Sequence, residues 1–365
     1  MSGIYINYGK NDGILKATLE ILEASDLNNL VSRGMKVSLK PNMVVDKPPS
    51  LGATTHSEIT EGIIVYLKES GIDNIEIIES CGTGGDTKKI YKTCGYDKLS
   101  KKYDVPLYDL KDLKDDSIIK VKSGEYTFEV FRKAAETDFL INIPVIKAHC
   151  MTKFTCCLKN IKGCISDIEK RRFHTMGLHR PIAYLNTAVK THYCVADGIC
   201  GDLTFEEGGT PVARNMIVCG SDPVLIDSYC CELIGYYAKD IEYVKLAQEL
   251  GVGKFYNSDT NITELNKENK PKFIKADRSA VDTLAQYISE DMACSACYSA
   301  LIYALHHAGT PADSIKINRI NIGQGFKGKN GRFGCGNCTS GCDKFVKGCP
   351  PKPTDIIRFL KEIDI

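Results

Sequence analysis

The sequence predicts an α/β protein: a mixed or mostly parallel sheet flanked by helices, followed by a smaller, cysteine-rich C-terminal α/β domain. Three observations lead there. Over the first 290 residues, β-branched runs alternate with segments of helical periodicity, the pattern of a sheet with helices on its faces. A polar stretch rich in Lys, Asn and Asp, Asn257 to Asp277, reads as a linker. Six of the seventeen cysteines lie beyond residue 293. The expected division is a body of residues 1–288 and a cysteine-rich domain of residues 289–365.

Taken in order, Gly3 to Tyr8 and Lys36 to Leu39 read as short strands, while Asp12 to Ala24 and His56 to Ser70 carry apolar residues at helical spacing. Ile75 to Glu79 is a β-branched strand after Gly71, and Asp138 to Ile143 reads as a buried one. Met216 to Cys219 follows the same style. Asp222-Pro223 then supplies the cap and first turn of a helix that continues through Gly235. Beyond the linker, Ser295 to His307 reads as a helix, Ile315 to Ile322 as a strand, and Thr354 to Ile363 as a closing helix capped by Thr354. Between that strand and helix, the glycines from Gly323 to Gly348 allow backbone amides to approach an anionic cluster closely.

Forty-seven Lys and Arg against forty-six Asp and Glu leave a formal net charge of +1, so bulk electrostatics favour neither nucleic acid nor another polyanion as partner. No stretch approaches the roughly 18 apolar residues of a membrane span. The first residues, Met1 to Ile21, lack the basic and apolar pattern of a signal peptide. A soluble, cytoplasmic protein is expected, with no membrane partner. Seventeen cysteines without such a signal argue for thiols and metal ligands rather than disulfides. Thiols in that number suit an anaerobic cell. No feature specifies an oligomeric state.

The C-terminal cysteines fall as Cys294-x-x-Cys297, Cys335-x-x-Cys338-x-x-x-Cys342 and Cys349-Pro350-Pro351. Thiolates are soft ligands for iron–sulfur clusters and zinc, and two cysteines separated by two residues reach one centre without strain. Cys294 sits at the expected start of a helix, where the backbone dipole favours negative charge. A redox dithiol there would leave four cysteines without a role. Zinc is the structural competitor, since Cys294/Cys297 and Cys335/Cys338 form the two pairs of a zinc ribbon. Cys349-Pro350 tips the balance, because bacterial ferredoxin motifs end in Cys-Pro. The expectation is one 4Fe-4S cluster held by Cys294, Cys297, Cys338 and Cys349, with Cys335 and Cys342 as alternates. The surplus of ligands leaves a second or larger cluster open.

Four segments, Ile143-Pro-Val-Ile-Lys147-Ala-His149, Lys159-Asn160-Ile-Lys-Gly163-Cys164, Val195-Ala-Asp197-Gly198 and Gly220-Ser-Asp222-Pro-Val-x-x-Asp227, resemble in order and spacing the signature of domain-of-unknown-function family 362. Lys40-Pro41-Asn42, with Gly52 and Thr54-Thr55, is similar to that family's opening motif. The resemblance covers roughly Val37 to Tyr236. It implies association with iron–sulfur domains, although this chain lacks the ferredoxin insert of many relatives, so ferredoxin ligand spacing does not transfer to it. It supplies an architecture and pocket residues but no reaction.

In physical terms these residues follow strands, where α/β proteins place their chemistry. Lys40, Asn42, Lys147 and His149 are expected to form a cationic, hydrogen-bonding pocket for a small anionic substrate carrying a carboxylate or phosphate. The bland alternative makes both lysines solvated strand ends. Lys159, Asn160 and Asp197 are further substrate-binding candidates, and His149, Lys147 and His174 are the candidates for catalysis, imidazole titrating near neutrality. Arg171 to His174 offers an anion clamp or a solvated helix face. Cys164 reads first as core filling, as do Cys156-Cys157 and Cys230-Cys231. The loop Cys81 to Thr87 reads equally as amides that cradle an anion or as a flexible surface loop, and Asp222 is most simply an N-cap. Two functions follow. One is an iron–sulfur redox enzyme, possessing a partner such as ferredoxin, with a non-redox cluster-dependent lyase as its variant; the other is a non-catalytic electron carrier or cluster-handling protein.

Overall fold

The computed structural model describes residues 3–9, 13–113, 117–204, 210–276, 279–308 and 318–363. They fall into two compact units, residues 1–169 with 179–276, and residues 170–178 with 277–365.

In the first unit, β1 (Ile4–Tyr8) leads into α1 (Ile14–Ala24), which buries Ile14, Ala17, Thr18, Ile21 and Leu22, one stripe at three- and four-residue spacing. β2 (Val37–Pro41), α2 (Ser57–Glu69), β3 (Ile75–Glu79), α3 (Thr87–Thr93), α4 (Tyr96–Tyr103) and β4 (Leu107–Asp109) continue the alternation. A hairpin of β5 (Ile118–Ser123) and β6 (Tyr126–Phe131) and a single turn, α5 (Arg132–Ala135), precede β7 (Phe139–Ile143). A small ribbon of β8 (Lys147–His149) and β9 (Lys153–Thr155) leads to α6 (Cys157–Asn160); α7 (Asp167–Thr175) belongs from Lys170 on to the second unit, and α8 (His179–Ala188) returns to the first. The unit closes with β10 (Tyr193–Asp202), β11 (Pro211–Gly220), α9 (Pro223–Leu233), α10 (Glu242–Glu249) and β12 (Ile262–Leu265).

Eight strands make one sheet in the order β12-β1-β11-β10-β7-β2-β3-β4. β11 runs antiparallel to both neighbours, and every other pairing is parallel. The sheet is therefore mixed and mostly parallel, with helices supplying the burial of its faces. β2, β3 and β7 are buried at every position, as strands covered on both faces must be. The core joins Val37, Leu39, Ile77, Ile141 and Ile143 of these strands to Ile21 and Leu22 of α1 and Ile59 and Ile63 of α2. Asp222 caps α9 by accepting from the amides of Val224 and Leu225, both at 2.9 Å, a cap worth about 1 kcal/mol.

The expected linker is a correction. Ile262 to Leu265, inside Asn257 to Asp277, form β12 and pair in parallel with Ile4 to Asn7 of β1. As a half-buried edge strand, β12 carries Thr263 and Glu264 rather than an apolar run, which disguises it. Asp12 and Asp277 lie outside the described residues.

The second unit holds α11 (Ser279–Ala285), β13 (Ile288–Glu290), α12 (Ser295–Ala308), β14 (Ile320–Ile322), β15 (Gly331–Cys335), β16 (Cys342–Val346) and a last helix, α13 (Pro353–Ile363). Its four strands form an all-parallel sheet in the order β13-β14-β15-β16. Ile288 to Glu290 pair with Ile320 to Ile322, so this unit begins ahead of the expected residue 289. The strand expected at Ile315 to Ile322 is described only from Ile320; residues 315–317 lie outside the described residues. α13 starts at Pro353 rather than after a Thr354 cap, because proline suits the first helical position and has no amide to orphan there. Among the described residues, no helix is long and apolar enough to cross a membrane.

Candidate functional site

Each strand of the C-terminal sheet ends in a segment that contributes to one cavity. Cys294 and Cys297 follow β13 at the start of α12, Gly323 and Gln324 follow β14, Cys335 closes β15 with Cys338 just beyond it, and Gly348 and Cys349 follow β16. All of these line a cavity of about 240 Å³, together with Arg171 and Lys327. The carboxyl ends of parallel strands are where open sheets place ligands. The connections after β14 and β15 are eight and six residues long, so successive strands return to the same rim with little chain between them.

The surrounding contacts hold these loops in place. Asn337 donates its amide to the Gly348 carbonyl at 3.0 Å and accepts the Gly348 amide on its side chain at 2.8 Å. Thr339 Oγ1 donates to the Gly336 carbonyl at 2.8 Å. Gly348 has a φ of 145°, and a Cβ there would lie 2.2 Å from Pro351 Cα, so no other residue fits this turn. Gln324 Nε2 donates to the Arg171 carbonyl at 3.0 Å and lies 3.8 Å from Cys294 Sγ.

Five sulfurs therefore meet at this cavity: Cys294, Cys297, Cys338 and Cys349, with Cys335 as the fifth. Cys342 is elsewhere. It is buried on β16, where its Sγ lies 3.7 Å from Asn321 Nδ2, and it is not part of the cavity wall. Burial pushes Cys297 up, and the neighbouring Cys335, Cys294, Cys349 and Cys338 add to the rise. Burial lifts Cys335 to about 12. Cys338 is raised by burial, with Lys327 opposing. A tetrahedral zinc at about 2.3 Å from each sulfur needs sulfurs about 3.8 Å apart. Among the described residues, no three of the C-terminal sulfurs lie within 4.8 Å of one another.

In the first unit, the strand-end residues are knitted to one another. Lys40 is fully buried and bonds to Glu79 at 2.7 Å and to the Pro41 carbonyl at 3.2 Å. Asn160 Nδ2 donates to Asn142 Oδ1 at 2.7 Å and to the Lys40 carbonyl at 3.3 Å. Thr55 Oγ1 accepts the Asn42 amide at 2.8 Å and donates to the Ile143 carbonyl at 2.7 Å. Lys147 Nζ donates to the Ala53 carbonyl at 2.7 Å. His149 Nδ1 accepts the amides of Met151 and Thr152 at 3.0 and 3.1 Å, which places the proton of the neutral ring on Nε2. Lys159 is buried on α6, and His174 is buried in the second unit. Lys40 is thus a partnered core cation rather than a solvated strand end.

Sequence reasoning missed His56. Its Nδ1 lies 2.9 Å from Asp197 Oδ2, which also accepts the His56 amide at 2.8 Å. Burial disfavours the imidazolium, but the charge of Asp197 and its hydrogen bond outweigh this and raise the His56 pKa. The pair is 141 residues apart in sequence, and only a histidine directly before a helix hinted at it. The loop from Cys81 to Thr87 also differs from expectation. The Gly84 amide binds Asp167 at 3.0 Å, and Lys111 Nζ fills the loop, donating to the Gly82 and Gly85 carbonyls at 3.0 and 3.3 Å. An internal ion pair occupies the place read as an anion cradle.

A mostly parallel α/β body followed by a small parallel sheet with a cysteine-lined rim defines the class. The family profile described as "Domain of unknown function (DUF362)" matches residues 37–232, just over half of the chain, and the chain belongs to that family. A thylakoid-associated protein of Synechocystis sp. is 24% identical over 172 residues, covering 44% of this chain and 50% of that protein. The chain thus matches half the length of that curated relative. Among solved structures, the lactate racemase apoprotein from Thermoanaerobacterium thermosaccharolyticum is similar at 16% identity and a TM-score of 0.38, covering 58% of this chain and 54% of that one. A Thermotoga maritima protein is similar at 15% identity and a TM-score of 0.41, covering 66% and 59%.

Proposed function

We propose that this is an iron–sulfur protein in which Cys294, Cys297, Cys338 and Cys349, with Cys335 as the alternate, hold one 4Fe-4S cluster, and that it is a redox enzyme acting on a small anionic substrate. The observation that carries the cluster is the meeting of five cysteines at the carboxyl ends of four parallel strands around one cavity. When bound, the group would supply one-electron redox chemistry. Arg171 and Lys327 would offset the negative charge of a thiolate-bound cluster, and Gln324 would donate toward Cys294. Cytoplasmic placement and a redox partner such as ferredoxin belong to the same reading.

For the substrate, Lys147, Lys159, Asn42, Asn160 and Asp197 remain the binding candidates and His149 the proton-transfer candidate in the first unit; His174 stays a separate proton-transfer candidate in the second. Lys40 contributes less, since Glu79 neutralises it. That neutralisation favours a second reading, a non-catalytic electron carrier. The two separate on Lys147→Ala in the full chain: an enzyme loses binding of an anionic ligand while its iron content stays, whereas a carrier loses neither.

Single cysteine-to-serine variants of the full chain, purified without oxygen, test the ligand set. Cys297→Ser is expected to lower iron and sulfide together by at least half, and Cys342→Ser to leave both unchanged. Iron lost equally from Cys342→Ser would show that the cavity is not the binding site.

A further inference from the structure

A second sulfur-rich cluster lies in the first unit, remote in sequence from the C-terminal cysteines. Cys156, Cys157 and Asp227 bring their ligand atoms within 4.8 Å of one another, and all three are buried. The two sulfurs are 3.8 Å apart, the separation of neighbouring sulfurs around a tetrahedral zinc with bonds of about 2.3 Å. The cluster is set by secondary structure: Cys156 and Cys157 open α6, and Asp227 reaches from the second turn of α9 to accept the amides of Cys157 and Leu158 at 2.6 and 3.1 Å. A carboxylate oxygen that accepts one amide keeps a lone pair for a metal.

Cysteine as apolar filler accounts for the sulfurs. It does not account for the charges beside them. Arg214 is 2% exposed and donates Nη2 to the Ile146 carbonyl, while its Nε and Nη1 have no hydrogen-bond partner among the described residues. The Asp197 carboxylate and the thiols of Cys230, Cys200 and Cys156 are the acidic groups around it. A buried guanidinium with two idle donors is costly unless a negative charge balances it. Two thiolates and one carboxylate around a divalent ion sum to a single negative charge, which one guanidinium neutralises.

We propose that Cys156, Cys157 and Asp227 bind one thiophilic divalent metal ion of the zinc type inside the body, independent of the C-terminal cluster. With every ligand buried, the ion would enter as the chain folds and hold β9, α6 and α9 together.

The test uses the full chain with Cys294, Cys297, Cys335, Cys338 and Cys349 all replaced by serine, which leaves the body untouched, expressed with zinc as the sole added metal. The expected result is about one zinc per chain, with X-ray absorption showing sulfur neighbours at about 2.3 Å; adding Cys157→Ser lowers the zinc at least tenfold. A folded five-serine chain with less than a tenth of an equivalent of zinc, or zinc with only oxygen and nitrogen neighbours, overturns the proposal. If Cys157→Ser prevents folding, the absorption spectrum of the five-serine chain, whose core is native, decides alone.

Discussion

Gly163 stands against the buried ion pair of the body, and replacing it with alanine measures how rigidly that pair is held. A Cβ at Gly163 would lie 2.0 Å from Glu79 Oε1, 2.5 Å from Lys40 Nζ and 2.7 Å from Lys40 Cε. Lys40 and Glu79 are 0% and 3% exposed and meet at 2.7 Å, so neither can swing into solvent to make room. Ordinary contact begins near 3.4 Å, and the carboxylate would have to retreat by more than an ångström, opening the pair. Leaving a buried charge unpaired costs about 3–5 kcal/mol, and a backbone shift that spreads the overlap costs about 1–3 kcal/mol. The opposing gain from a stiffer unfolded chain is about 0.4–1 kcal/mol. Gly163→Ala is therefore expected to destabilise the body by about 3 kcal/mol, read from urea unfolding followed by circular dichroism. In a Lys40→Met/Glu79→Leu background the same change should cost less than half as much. A Gly163→Ala chain within 0.5 kcal/mol of wild type, or an equal cost in both backgrounds, would refute the reasoning.

His56 gives a pH signature. Its pKa is raised in the fold by Asp197 against the opposing effect of burial, so its charged form favours folding. That contribution is complete below the unfolded value of about 6.5 and fades as pH rises through the higher folded value. His56→Ala should thus destabilise more at pH 5.5 than at pH 9, and a loss independent of pH would count against the Asp197 contact. Arg171→Gln should make the C-terminal centre harder to reduce by on the order of 50 mV, the screened effect of losing one positive charge from the cavity wall. An unchanged potential in a redox titration would remove Arg171 from the site's electrostatics.

Local chemistry was legible in the sequence, and pairings across the fold were not. Ile75 to Glu79 and Phe139 to Ile143 were readable because buried parallel strands concentrate β-branched and apolar residues. Asp222-Pro223 was readable because a cap and a first-turn proline act within one turn of chain. β12 was missed because its polar residues suit an edge, and β15 and β16 because glycine and charge interrupt them. Lys40 looked like a strand-end cation until β2 and β3 were seen side by side, which puts Glu79 beside it. Cys335 and Cys342 were equal alternates by spacing, yet one closes β15 at the cavity and the other opens β16 away from it. A seven-residue difference along the chain decides their surroundings only after the strands are laid parallel.

The central claim concerns what the five rim cysteines hold, and electron paramagnetic resonance of the full chain, prepared without oxygen and reduced, tests it most directly alongside iron and sulfide counts. About four irons and four sulfides per chain with a paramagnetic signal that appears on reduction are the expected result. A colourless chain without sulfide, or one carrying zinc at the rim in place of iron, would contradict it.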